Sequence, residues 1–282
     1  MKRLIYLLAA AMTACGTAPQ AGLNVMTFNM RYDNPEDGEN NWMYRRDRAA
    51  EVVTSHRIDV FGTQEVLSGQ LHDLLDRLPG YEAVGVGRED GREQGEYCAV
   101  FYRTDRFTRV ESGTFWLSET PEAAGSLGWD GACERTATWA VLRDRKSGAE
   151  FFFIDTHLDH VGEQARREGV SLLLRRIVAM SGGRPVILTG DFNAEPSSEV
   201  IAHVTRNGLL HDAKAIAAQV AGTPWSFSDF GAIPEGERPL IDYIFTGDRV
   251  AVDRYEVLPD TLDGGYVSDH APVMAAIRFV KP

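Results

Sequence analysis

Thr189-Gly190-Asp191-Phe192-Asn193-Ala194-Glu195-Pro196 follows the apolar run Val186-Ile187-Leu188, and how it is read decides the fold. The run has the length and composition of a buried β-strand. Side chains alternate faces along a strand, so Asp191 and Asn193 are expected on one side, where the strand leaves the core. A carboxylate beside an amide at such a point suits a metal ion or a hydrolytic water. Taken alone, the stretch fits an Asx-rich turn closed by Pro196 equally well. The rest of the chain has to decide.

Working outward, the same polar punctuation recurs at other strand ends. Leu23–Met30 is rich in strand formers and carries Asn29 near its end; Ile58–Gly62 leads into Gln64-Glu65. Phe151–Ile154 gives way to Asp155-Thr156-His157-Leu158-Asp159-His160, and Ser268-Asp269-His270 stands just before the strand Pro272–Phe279. If neighbouring strands share an edge, these side chains converge on one rim. Any one of them is explained by a capped turn; the whole set is not. Asp242 is a different signal, because it lies inside the apolar run Leu240–Phe245. A lone charge there is costly unless paired. His270 is its natural partner, and such a carboxylate would orient the imidazole and favour its protonated form. The alternative is an aspartate facing solvent from an edge strand.

Helical signals cover Tyr44–His56, a short helix capped by Ser68, a stripe at Val170, Leu173, Leu174, Ile177 and Val178, and Ser197–Arg206. Strand signals cover Tyr81–Val86, Tyr97–Tyr102, Phe107–Trp116, Thr136–Leu142 and Val250–Val257. Helices alternate with strands in both halves while hairpin-like runs separate them, which predicts mixed sheets flanked by helices in one α/β domain over residues 23–282.

Residues 1–15 are not part of that domain. Lys2-Arg3, an apolar Leu4–Met12 and the small-residue end Thr13-Ala14-Cys15 make an export leader. A cysteine closing it resembles a bacterial lipobox, with Met12 where leucine is usual; Cys15 is then the lipidation site and membrane anchor, and residues 16–22 a tether. Plain secretion is the alternative, so the expected location is a membrane-anchored lipoprotein or a periplasmic or extracellular protein. The formal net charge is −12, and the leader carries no acid to offset. That is a poor footprint for gripping nucleic-acid backbones, so nucleic acid is not favoured as a partner. Cys98 and Cys133 are expected as two buried thiols rather than a disulfide.

The ordered set Asn29, Gln64-Glu65, Asp155-Thr156-His157-Leu158-Asp159-His160, Gly190-Asp191-Phe192-Asn193, Ile241-Asp242-Tyr243-Ile244 and Ser268-Asp269-His270-Ala271-Pro272 resembles the endonuclease/exonuclease/phosphatase superfamily. The resemblance implies a four-layer α/β/β/α sandwich of the deoxyribonuclease I type and phosphoester hydrolysis with a divalent metal, Mg²⁺ with Mn²⁺ as the alternative. It assigns Glu65 as main metal ligand, Asn29 to the metal site and phosphate, and Asp269 as a second acid near the metal. Asp191 and Asn193 match the pair that activates and orients the attacking water, and Asp242 the carboxylate orienting His270. His157 matches the histidine of the phosphatase, sphingomyelinase and deadenylase branches. The chain is also similar to exported bacterial members that share Arg31-Tyr32-Asp33, Asn41-Trp42, Phe115-Trp116-Leu117-Ser118 and the run Cys133–Trp139.

These residue types suit the reaction. A hard cation polarises the phosphate, Asp191 serves as base, and histidines donate to nonbridging oxygens. Arg31 and Arg135 are candidates for clamping an anionic group, against the alternative of surface ion pairs. Trp42 is a candidate platform for a sugar ring or base, against core packing. Three readings compete: a metal-dependent phosphodiesterase or phosphatase on a small-molecule, sugar or lipid-linked phosphate, which is favoured; an extracellular nuclease; and an inactive binding protein of the same fold. A monomer is expected.

Overall fold

The computed structural model describes residues 22–206 and 208–280. The leader, Cys15 and most of the tether therefore lie outside the described residues. Two mixed sheets form the centre. In the first, the order is β10 (Val220–Gly222), β12 (Val250–Val257), β15 (Val273–Phe279), β1 (Leu23–Asn29), β2 (Val60–Val66), β4 (Tyr97–Arg103) and β3 (Tyr81–Val84). In the second it is β5 (Phe107–Trp116), β6 (Thr136–Asp144), β7 (Glu150–His157), β8 (Val186–Asp191), β11 (Asp242–Thr246) and β9 (His211–Asp212). A small hairpin pairs β13 (Thr261–Leu262) with β14 (Gly265–Tyr266). The pairs β1–β2, β7–β8 and β10–β12 are parallel and the others antiparallel.

Alternation along β1 shows how the layers are built. Leu23 and Val25 join a core shared with Phe153, Ile187 and Ile244 of the second sheet. Met26 and Phe28, on the opposite face, pack with Trp42, Ala49 and Val53 of α1 (Trp42–Ser55) and Leu74 of α2 (Ser68–Arg77). On the far side Leu173 and Ile177 of α3 (Glu163–Met180) and Ile201 of α4 (Glu199–Thr205) cover the second sheet. The result is the α/β/β/α sandwich; a single turn, α5 (Ala213–Ile216), lies beside β9 and β12. Asn41 starts α1 by accepting the Met43 N–H, and Ser198 starts α4 by accepting that of Ile201.

Several expectations are corrected. Val178 is 65% exposed, and Leu172 takes its place in the buried face of α3. Leu67, not Ser68, is the N-cap of α2. Strand β2 runs on to Val66, so Gln64 and Glu65 lie inside it rather than beyond it. Both cysteines are free thiols, but only Cys98 is buried; Cys133 is half-exposed.

Candidate active site

Strand register brings the polar residues together. His157, at the end of β7, pairs in register with Asp191 at the end of parallel β8. Asp242 opens antiparallel β11 directly across from the same Asp191. Adjacent strands lie about 4.8 Å apart, so the three residues form one row. On the facing sheet Asn29 ends β1, and β15 runs antiparallel to it, which returns Asp269 and His270 to the same rim. Asn29 Nδ2 then spans the two sheets, donating to Glu65 Oε1 and to Asp191 Oδ2 at 3.0 Å each.

Glu65 reaches this position through a backbone irregularity. Gln64 already faces the inter-sheet layer, where its amide donates to Asp155 Oδ1 (2.8 Å) and Thr27 Oγ1 (3.1 Å). Strict alternation would send Glu65 to the helix side. Instead the pairing of β2 with β4 slips between Thr63 and Val66, and Glu65 takes φ +62°. A bulge of this kind re-aims one side chain. Arg31 (φ +52°) and Asn193 (φ +45°) at the same rim are likewise left-handed.

Asp242 Oδ2 lies 2.9 Å from His270 Nδ1 and accepts Ser226 Oγ at 2.6 Å. Burial disfavours the His270 imidazolium, but the carboxylates of Asp242, Asp269 and Asp191 more than offset it and hold the ring charged. His157 is the reverse: burial, with Arg135, Arg88 and His270 nearby, pushes its pKa well down and keeps it neutral. Its 3.4 Å approach to Asp191 is therefore polar contact rather than an ion pair. Asn193 donates its backbone N–H to Asp191 Oδ1 (2.9 Å) and its amide to Leu158 O (2.9 Å) and His157 Nε2 (3.1 Å). Burial and Asp242 push Asp191 up to about 7, against the pull of His270. Burial, opposed by His270 and reinforced by Glu65, pushes Asp269 up to about 6.

These residues open on a cleft of about 400 Å³. Arg88, Arg135 and His160 form one wall, Phe227 and Ile241 another, and Arg31, Tyr32 and Asp269 the side by the first sheet. Arg135 is buried, with Nη2 held by His160 Nδ1 at 2.9 Å. Arg31 also lines the cleft, although a two-point bond to Asp37 (2.9 and 3.0 Å) occupies its guanidinium. Trp42 does not reach it. That ring is buried under α1 with its indole N–H on Asp73, so the core-packing alternative holds for it.

The donor set fits a hard divalent cation. Donor atoms of Glu65, Asp191 and His270 lie within 4.8 Å of one another. His270, kept charged, has no lone pair to give, which leaves the carboxylates. Crowded acids that raise one another's pKa are what a cation relieves. Asn29 Oδ1 accepts the Arg31 N–H (2.9 Å) and keeps a second lone pair, while its Nδ2 bridges the Glu65 and Asp191 carboxylates. A second cluster, Cys133, Asp159 and His160, is occupied otherwise: Asp159 accepts the N–H groups of Ala132, Val161 and Gly162 and braces the cleft loop.

A model of the Endonuclease/Exonuclease/phosphatase family matches residues 26–270. The chain belongs to that family. A family structure from Bacteroides vulgatus superposes with a TM-score of 0.90 at 42% identity, covering 92% of this chain and 100% of that one. The mannosyl-6-phosphatase of Bacteroides thetaiotaomicron does so with a TM-score of 0.86 at 36% identity, covering 91% and 100%. Human nocturnin is 26% identical over 92% of this chain, which spans 66% of nocturnin's length. Family membership makes the protein a phosphoesterase by class, with the mixed-sheet sandwich common to its relatives.

Sequence reasoning missed three residues of the site. Arg88 and Glu96 come from the segment between β3 and β4 and pair at 2.6 Å, with the Trp116 indole propping the Arg88 carbonyl at 2.6 Å. Arg45 of α1 is fully buried, and its guanidinium donates to the carbonyls of Met30 (2.9 Å), Val267 (3.0 Å), Arg31 (3.3 Å) and Asn40 (2.5 Å). It ties the exit of β1 to the segment that carries Asp269 and His270. A buried charge in an otherwise apolar helix face was the available signal.

Proposed function

We propose that the protein is an exported, divalent-metal-dependent phosphoesterase acting on a small phosphate ester, a sugar phosphate foremost. The observation that carries this reading is the cleft. It is only about 400 Å³, with a cationic wall at Arg88 and Arg135 and an apolar wall at Phe227 and Ile241. A phosphorylated ring matches that division, its phosphate toward the charges and its apolar face toward Phe227. The similar mannosyl-6-phosphatase supports the same substrate class. The acidic chain, at net −12, disfavours a polymeric nucleic-acid substrate.

In this reading Asp191, buried at the end of β8, takes the proton of the attacking water. Asn193 holds the base in place through its backbone N–H. His270, oriented and charged by Asp242, donates from Nε2 to a nonbridging oxygen. Asn29 keeps Glu65 and Asp191 at a fixed separation. Glu65, with Asp269 nearby, would hold Mg²⁺ or Mn²⁺, which would supply Lewis-acid polarisation of the phosphoryl group. Export rests on residues 1–15, with Cys15 as the anchor.

The test is phosphate release from mannose 6-phosphate and other sugar, inositol, lipid and nucleotide phosphates, with Mg²⁺ or Mn²⁺ and after EDTA. Turnover should require metal and vanish in Glu65→Ala without loss of fold. Metal-independent turnover, or hydrolysis of oligonucleotides alone, would overturn the reading. Lipid labelling lost in Cys15→Ser checks the anchor.

A further inference from the structure

Asn193 borders two cavities. One is the catalytic cleft; the other, of about 370 Å³, lies between the first turns of α3 and α4 and is nearly as large as the cleft. Bonds to Leu158 O and His157 Nε2 hold the Asn193 amide in place as the partition between them. A molecule seated with its phosphate at Asp191 can therefore continue past Asn193 into the second cavity. Glu163, Arg166 and Arg167 of α3 and Glu199 and Val200 of α4 line it. Glu163 and Arg167 are four residues apart, the spacing at which a helix pairs opposite charges. On α2, Asp73 and Arg77 do pair at that spacing, at 3.2 Å. Glu163 and Arg167 do not: neither side chain has a protein partner among the described residues, and both border the cavity. Arg166 gives only Nη1 to the protein, at Asp159 O (2.8 Å), and Glu199 meets only Arg206 Nη2 (2.6 Å). Donors and acceptors thus stand open side by side.

The charge of the wall decides what it takes. Two guanidiniums stand with two carboxylates, so a second phosphate would meet repulsion as well as attraction. A guanidinium only donates and a carboxylate only accepts, whereas a hydroxyl does both. Neighbouring hydroxyls of a sugar ring satisfy such a wall, and Val200 offers apolar surface to the C–H groups of the ring. We propose that this cavity binds a neutral sugar unit. The substrate is then a phosphorylated oligosaccharide, with its phosphate-bearing sugar in the catalytic cleft and the next sugar beyond Asn193. This inference rests on the sugar-phosphate reading given above. Glu163 and Arg167 become residues that set specificity, and neither lines the catalytic cleft.

The experiment compares kcat/KM for mannose 6-phosphate with that for a mannose disaccharide phosphorylated on its non-reducing ring. The wild type should favour the disaccharide by roughly tenfold, about the worth of one hydrogen bond to a charged group. Glu163→Ala and Arg167→Ala should each remove most of that preference and leave kcat/KM on mannose 6-phosphate unchanged. A wild type that hydrolyses mannose 6-phosphate without favouring the disaccharide overturns the subsite and leaves the function reading standing. A hexose bisphosphate favoured over the monophosphate, with that preference lost in Arg167→Ala, also overturns it, because the cavity then takes an anion. If no sugar phosphate is hydrolysed, the function reading fails instead, and NMR titration with unphosphorylated mannobiose decides the subsite alone. Amide shifts at Ala194 and Val200 that disappear in Arg167→Ala uphold it; no shift in the wild type overturns it.

Discussion

Gly62→Ala is a one-carbon change that should damage this protein. Gly62 lies in β2 facing the other sheet, and a Cβ there would sit 2.0 Å from Asp155 Oδ1, 2.2 Å from its Cγ and 2.6 Å from Thr189 Oγ1. Neither side chain can swing away without loss. Asp155 and Thr189 are fully buried, and Asp155 Oδ1 accepts from both Gln64 Nε2 (2.8 Å) and Thr189 Oγ1 (2.6 Å). Overpacking a filled core costs about 1–3 kcal/mol, and the two strained or lost hydrogen bonds add about 1 kcal/mol each. In the opposite direction, alanine in a strand is favoured over glycine by roughly 0.5–1 kcal/mol. The net expectation is destabilisation by about 2–4 kcal/mol, or a fall in Tm of roughly 5–15 °C for a domain of this size. The assay is urea unfolding with a thermal scan. The double variant Gly62→Ala/Asp155→Ala should show a favourable coupling of at least about 1 kcal/mol, because removing the carboxyl relieves the overlap. Because the backbone term alone favours alanine, a Gly62→Ala protein as stable as the wild type refutes the close approach of the two sheets described here.

Other outcomes follow from single residues. Asp242→Asn should lower kcat by on the order of 10²–10⁴, as when a histidine loses its orienting carboxylate; wild-type kcat would refute the role given to the pair. Arg45→Met strands four carbonyls at about 1–3 kcal/mol each for those left without partners, so unfolding free energy should fall by at least about 3 kcal/mol. A neutral result would show that the loops hold without it. Asp144→Asn tests acid stability far from the cleft. Burial opposes ionisation there, but the N–H and hydroxyl of Ser147 and the Arg106 guanidinium prevail and hold the carboxyl below its ordinary value. A depressed folded pKa stabilises above the unfolded value of about 3.9 and is lost as pH falls through the folded value. The variant should therefore be less stable at pH 7 by about 1 kcal/mol, and the gap should narrow as pH falls below the ordinary carboxylate range. A gap that persists at low pH contradicts this.

The sandwich was legible because short continuous apolar runs such as Phe151–Ile154 and Val186–Leu188 carry their own strand signal, and because strand ends on one rim are fixed by pairing. Asp242 was legible for a different reason: a carboxylate inside an apolar strand must find a partner, and His270 is where the register puts one. Trp42 was not legible. Its apparent place in a polar loop suggested a platform, but Trp42 opens α1, whose first turn puts the ring in the layer against β1. Val178 fits the helical stripe by spacing, yet lies at the edge of the buried arc, which is centred nearer Leu173. Arg88 and Glu96 sit in a glycine-rich segment with no periodicity, and only the folded loop shows that they wall the cleft.

Glu65 shows why the site could not be drawn from alternation alone. Two neighbouring residues are both needed on the inner side of β2, Gln64 to hold Asp155 and Thr27, and Glu65 to face Asn29. A regular strand cannot supply both, since its period is two. The chain resolves the conflict with a left-handed residue that is not glycine, at a local cost of about 1–3 kcal/mol. That strain persists because the structure around it is over-determined. The amide of Asn29 and the N–H of Tyr32 hold the two carboxylate oxygens, at 3.0 and 3.3 Å, while Val66 re-enters the pairing with Tyr97. A glycine at this position would remove the strain and the carboxylate together. The strained conformation is therefore what a fold must accept to place an acid on the same side as its neighbour.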